Sequence, residues 1–293
     1  MAKSSPRPRS APSSRKAERV PRIDSSARVA DSARIGADVE IGPYCIIGPD
    51  VEIGEGTRLH AHVFITGHTK IGPRNEIHPF ASLGTPPQSV QYRGGSTRLV
   101  IGAENIIREH VTMNTGTEDG RGETRVGDKC FIMTAAHVGH DCIVGNEVTL
   151  VNGVLLAGHC QVGDFAVLSG AAALHQFVRV GPMAFIGGNT GVVKDLLPYC
   201  ATFGMPGEFR GLNLVGLRRR GLTRAEITTL RAALRVLFEA TGPMRERADR
   251  LAAAFPADKN VARIVDFICA GDKRPFLLPE RKSAETAGGE GDV

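Results

Sequence analysis

The run His137-Val138-Gly139-His140-Asp141 sets two imidazoles and a carboxylate within five residues. A carboxylate beside an imidazole engages one ring nitrogen and leaves the other free to take a proton from a hydroxyl or amine. Eighteen residues beyond His140 stands Gly158, and eighteen beyond Asp141 stands His159; His175 and Gln176 follow at nearly the same interval. All nine histidines fall between His60 and His175. An interval of eighteen carries meaning only if the chain repeats at that length.

It does. Stepping by six from Ile23 meets Val29, Ile35, Ile41, Ile47, Ile53, Leu59, Ile65, Ile71, Ile77 and Leu83. The register resumes at Ile101, Ile107 and Met113, and again from Val126 through Val138, Val144, Leu156 and Leu174 to Val192. Four residues after each aliphatic stands a small side chain, as at Ala33, Cys45, Val63, Ala136, Cys142 and Cys160, and glycine often follows the aliphatic directly. A period of six fits neither a 3.6-residue helix nor a two-residue alternation. It fits a triangular prism in which each hexad forms one flat side, three hexads make a coil, and coils stack at the parallel-strand spacing of about 4.8 Å. Residues eighteen apart then touch, so one edge carries His140, Asp141, Gly158, His159, His175 and Gln176. A glycine one coil from His140 offers an unobstructed N–H for an oxyanion.

Residues 85–100 and 115–125 break the register and are expected to loop out of the wall. The prism is expected to span 23–195, with a helical domain over 196–279. Thr223-Arg224-Ala225-Glu226 is a capping box that opens a helix to about Ala240, and 243–255 and 259–270 read as two more. The six cysteines, four of them at the small interior position, read as buried hydrophobes. The net charge of +5 comes from residues 1–22, where seven basic side chains face one acid, so the body is nearly neutral and nucleic acid is not an expected partner. This tail and residues 280–293 are expected to be disordered. The composition holds no apolar stretch long enough for a membrane span and no export signal, which makes the cytoplasm the expected compartment.

The hexads resemble the left-handed parallel β-helix superfamily. The zinc carbonic anhydrases of that superfamily carry two ligand histidines five residues apart; no pair here has that spacing, and no metal is expected. Six segments together are similar to the acyl-carrier-protein-dependent UDP-N-acetylglucosamine O-acyltransferases, the first enzymes of lipid A synthesis. They are Gly67-His68-Thr69-Lys70-Ile71-Gly72, Ile107-Arg108-Glu109, the run from His137 to Cys142, Leu156-Ala157-Gly158-His159, His175-Gln176-Phe177 and Gly216-Leu217-Arg218-Arg219-Arg220-Gly221.

The resemblance implies transfer of an (R)-3-hydroxyacyl group to the sugar 3-position by a homotrimer with sites between subunits. It makes His140 the base, Asp141 its orienting partner and Gly158 the oxyanion donor. His137, His159, His175, Gln176 and Gln88 would contact the sugar nucleotide and acyl chain, and Asn213 and Arg219 would bind the nucleotide from a neighbouring helical domain. No cofactor is implied, because the acyl group travels on the phosphopantetheine of acyl carrier protein. That carrier is acidic, and Arg218 and Arg220 are the candidates for docking it. The chain departs from the family pattern at Ser89, Gln91, Thr115, Pro206 and Val215. Some members acylate a 3-amino sugar, so amide formation stays open as the alternative. A coenzyme A-dependent acetyltransferase or a non-enzymatic scaffold are the remaining readings.

Overall fold

The computed structural model describes residues 20–271 and 274–280. Among the described residues the chain forms three sheets of eleven, nine and eight strands, in which each hexad strand pairs in parallel with the next coil and only the last strand of the first sheet is antiparallel. Arg22 and Ile23 pair with Glu40 and Ile41, and His137 and Val138 with Leu155 and Leu156. The aliphatic positions are buried almost completely, and the small positions beside them, such as Val39, Cys45, Ala136 and Cys142, are equally buried. The first coil is the exception, with Ile23 46% exposed and Val29 and Ile35 half-buried, because no described coil lies beneath it. Glycine after the aliphatic has a steric cause: a Cβ on Gly54 would lie 2.5 Å from the carbonyl carbon of Gly72 in the next coil. All six cysteines are free, and five are buried.

The expected boundaries shift in three places. Arg22, counted with the tail, already belongs to the first strand; the remaining expectations for the two tails fall largely outside the described residues. The loops are shorter than 85–100 and 115–125, since Thr85 ends one strand, Arg98–Ile101 forms a four-residue strand stacked on His68–Ile71, and Glu123–Val126 forms another stacked on Arg98–Ile101. Their hexad signature is blurred because the wall positions flanking a loop need not repeat the six-residue step. The prism also runs past residue 195: Leu196 bridges Val180, and Cys200–Phe203 adds a parallel strand to the first sheet before Glu208–Leu212 returns antiparallel. The expected domain border thus falls inside the last coil.

Four helices follow: α1 (Leu214–Arg219), α2 (Arg224–Glu239), α3 (Met244–Ala254) and α4 (Lys259–Cys269). The capping box at Thr223 and Glu226 is formed; α1 and the preceding hairpin were not legible as elements. One buried ion pair joins helices to prism. Arg179 Nε donates to Asp195 Oδ2 at 2.7 Å, Nη1 donates to the Phe267 carbonyl of α4, and the guanidinium lies 4.5 Å from the Phe267 ring centroid. The Asp195 main chain pairs with Pro275 and Leu277. Replacing Asp195 by alanine leaves this guanidinium buried without a counter-charge, which is expected to cost about 3–5 kcal/mol. Equilibrium urea unfolding checks this, and a wild-type midpoint would contradict it.

Candidate active site

The prism has three edges, and the expected cluster lies on the one between the second and third faces. Both loops, 86–97 and 115–122, leave from this same edge below it. The corner residues Asp141, His159 and Phe177 all adopt φ near +60°. That left-handed conformation turns the chain between faces and is one that Asp and His tolerate better than most residues.

His140 Nδ1 donates to Asp141 Oδ2 at 2.8 Å. The carboxylate has no solvent exposure and the imidazole only 12%. The side of His140 bearing Nε2 lies against Gly158, where an added Cβ would sit 2.5 Å from both Nε2 and Cε1. Only glycine leaves the ring in place. The Gly158 N–H makes no hydrogen bond within the described residues, while its carbonyl accepts from Phe177 N. A lone pair at Nε2 therefore stands beside an unoccupied backbone donor, an arrangement suited to removing a proton while a neighbouring carbonyl becomes an oxyanion.

The second loop holds Asp141, which the sequence reading missed. Thr117 Oγ1 donates to Asp141 Oδ2 at 2.7 Å, Thr117 N contacts both oxygens, and Arg121 N donates to Oδ1 at 2.7 Å. Burial alone would raise this carboxyl's pKa, but the donors from His140, Thr117 and Arg121 outweigh it and hold it below 3.8. His140, Asp141 and His159 together offer three metal-ligand atoms. Both Asp141 oxygens, however, are already taken up by these donors.

His159 Nε2 lies 3.9 Å from Asp141 Oδ2, and its ring meets His140 edge-on at 4.9 Å. Phe177, eighteen residues further, stacks on His159 at 4.4 Å with its own ring half exposed. The coil period places it above His159, although no role was expected of it. His137 stands on the second face between Thr112 and Leu155, and its Nδ1 shares a 2.7 Å hydrogen bond with Thr112 Oγ1. Burial, and then the nearby His140, push the His137 pKa down; burial does the same for His159. Both rings are thereby favoured as neutral hydrogen-bonding groups. His175 and Gln176 are exposed one coil above, and Gln88 is exposed on the first loop.

Asn213 and Arg219 lie elsewhere. They line a cavity of about 590 Å³ on the first face, with Phe165, Phe185 and Leu212. The first face is opposite the edge that carries His140, so one chain does not bring the two groups together. The Asn213 side chain caps α1 by accepting from Gly216 N and donates to the Met183 carbonyl. The arginine run ends α1 rather than opening the helical domain, and Arg220 has partners within the chain. Its Nη1 donates to Glu147 Oε2 at 2.6 Å and its guanidinium lies 4.4 Å from the Phe165 ring centroid. Spacing along the chain gave no sign of this pairing, since Glu147 is 73 residues away. Arg218 remains exposed.

Because the folded-state pKa of Asp141 is depressed, its stabilising contribution is full above the unfolded value and is lost as pH falls through the folded one. The stability gap between wild type and Asp141→Asn is expected to be constant above about pH 5 and to shrink below about pH 4. Urea unfolding at pH 6 and pH 3 checks this; a gap that widens in acid would contradict it.

Known proteins share these features. Residues 195–277 match the family model for domain 2 of UDP N-acetylglucosamine O-acyltransferase, and residues 32–67 and 123–158 match the bacterial transferase hexapeptide model. The acyl-[acyl-carrier-protein]–UDP-N-acetylglucosamine O-acyltransferase of Azorhizobium caulinodans is 51% identical over 227 residues, covering 78% of this chain and 84% of its own. That of Rhizobium etli is 45% identical over 221 residues, covering 75% and 81%. Among solved structures, the UDP-N-acetylglucosamine acyltransferase of Francisella novicida superposes with a TM-score of 0.84 at 38% identity, covering 89% of this chain and 95% of its own. That of Arabidopsis superposes at 0.75 with 32% identity, covering 87% and 99%. With its left-handed parallel β-helix, helical C-terminal region and this degree of identity, the chain belongs to the UDP-N-acetylglucosamine O-acyltransferase family.

Proposed function

We propose that the protein transfers an (R)-3-hydroxyacyl group from acyl carrier protein to the 3-hydroxyl of UDP-N-acetylglucosamine, the first step of lipid A biosynthesis. The observation that carries the mechanism is the His140–Asp141 hydrogen bond, which leaves Nε2 against Gly158. His140 takes the proton of the sugar hydroxyl as its oxygen attacks the thioester carbonyl. The resulting oxyanion accepts from Gly158 N–H. When the tetrahedral intermediate collapses, the C–S bond breaks and the imidazolium returns its proton to the phosphopantetheine thiolate. Asp141, held by Thr117 and Arg121, keeps Nδ1 protonated and stabilises the imidazolium. His137, His159, His175, Gln176 and Gln88 surround this edge as contacts for sugar and acyl chain. The acyl donor is supplied in the cytoplasm on its carrier protein.

The site is shared between subunits of a homotrimer. Arg219 and the cavity beside Asn213 lie across the prism from His140, which supports their serving the His140 of a neighbouring chain. The carrier docks through Arg218; Arg220, tied to Glu147, fixes α1 instead. The 3-hydroxyl is favoured over a 3-amino group because relatives at 42–51% identity are named as O-acyltransferases.

His140→Ala is expected to lose at least about a hundredfold in turnover with the fold intact. The assay supplies hydroxyacyl carrier protein with UDP-N-acetylglucosamine or its 3-amino analogue and reads product mass. Near-normal turnover would remove His140 as the base, and preferred amide formation would overturn the choice of sugar. Co-expressed His140→Ala and Arg219→Ala chains are expected to regain turnover that neither has alone, because mixed trimers contain intact shared sites; mixtures as inactive as their parents would contradict a shared site. Separately, Arg218→Glu is expected to raise the KM for the carrier severalfold at low salt and to spare that for the UDP-sugar. An unchanged carrier KM would reject the docking site.

A further inference from the structure

The edge between the first and second faces carries a second histidine cluster that the transfer reaction does not use. His60 and His78 are eighteen residues apart and thus occupy the same corner position on successive coils. Their rings stack at 4.6 Å with planes 27° apart, and both present Nε2 to one carboxylate. His60 Nε2 lies 3.0 Å from Glu76 Oε1 and His78 Nε2 lies 3.6 Å from the same oxygen.

We infer that His60, Glu76 and His78 form a binding site for a divalent transition-metal ion of the zinc class. One ligand atom from each residue lies within 4.8 Å of the others. A tetrahedral ion with bonds of about 2.0–2.1 Å holds its ligand atoms roughly 3.3 Å apart, so small rotations of partly exposed side chains complete the geometry. Two imidazoles and a carboxylate suit zinc or cobalt better than calcium or magnesium, which favour oxygen donors.

An independent feature points the same way. On the far side of His78, Nδ1 lies 3.4 Å from Glu109 Oε1. Glu109 is itself fixed by both arms of Arg108 and by Thr134 Oγ1. A carboxylate facing Nδ1 at this distance favours the tautomer whose lone pair is on Nε2, the side turned to Glu76, as a carboxylate behind a metal-bound histidine does. The nearby cations are already engaged, Arg108 by Glu109 and Arg58 by Glu40 at 3.2 Å. The side chains of His60, Glu76 and His78 are 29%, 42% and 18% exposed, so an ion can enter and keep water as its fourth ligand. Bound there, it clasps the coil of His60 to the coil of His78 just before the chain departs into the first loop.

The test titrates the full-length, tag-free chain, stripped with a chelator, with cobalt(II), followed by its visible d–d absorption, and then displaces cobalt with zinc(II). The expected result is one ion per chain, with His60→Gln and His78→Gln each weakening binding at least tenfold and Glu109→Gln weakening it about 10–100-fold. Zinc is expected to raise the thermal midpoint of wild type but not of the properly folded His60→Gln variant. His159→Gln, at the other histidine cluster, is expected to keep the stoichiometry. Absence of saturable binding, or binding that survives the His60→Gln/His78→Gln double variant or vanishes in His159→Gln, overturns the site.

Discussion

Every feature of this molecule depends on the stacking of eighteen-residue coils at the spacing of parallel strands. The stacking is held by backbone hydrogen bonds from coil to coil and by an aliphatic side chain at each sixth residue that has nowhere to go but inward. It admits little variation: a Cβ on Gly54 would strike the next coil. It also turns distance along the chain into position in space. Residues eighteen apart are neighbours, so His140 meets Gly158, Asp141 meets His159, and His60 meets His78.

A regular prism repeats the same short corner on every coil, and the molecule departs from that regularity at one edge. Both loops leave the wall between the second and third faces, and the second folds back so that its backbone reaches a carboxylate in the corner. Asp141 is fully buried, yet its oxygens accept from His140, Thr117 and Arg121. An ionised carboxylate at that depth would be costly without them. The interruption of the repeat is therefore what makes an oriented imidazole–carboxylate pair compatible with a tightly packed wall. Loop and corner are held together by the hydrogen bonds that Thr117 and Arg121 donate to Asp141.

The helical region meets the prism through different physics. One buried arginine–aspartate pair, its guanidinium also stacked on Phe267, connects the last full coil to α4. A second arginine, Arg220, ties the short helix α1 to the edge between the third and first faces through Glu147 and Phe165. These contacts set the position of the cavity beside Asn213 and Arg219, on the face turned away from His140. A single chain thus turns this cavity and the His140 edge in different directions, which is why the proposed shared site calls for a neighbouring copy.

The amino-acid sequence by itself determined the prism, its coil length, the edge that bears His140, Asp141, Gly158 and His159, and the capped helix from Arg224, because each follows from a local period or a local cap. Spacing of eighteen was enough to bring His140 and Asp141 to Gly158 and His159, and it applied equally to Phe177 and to His60 with His78, whose partners on other columns it did not reveal. Only the tertiary structure decided the rest. The grip of Thr117 and Arg121 on Asp141 arises from a loop, where no period operates. The engagement of Arg220 by Glu147, of Arg179 by Asp195 and Phe267, and the capping role of Asn213 join segments far apart or outside the repeat. Periodicity fixes a residue's place on a lattice of coils, whereas a side chain's partner depends on which other segment is folded against that place, and that is a property of the whole chain.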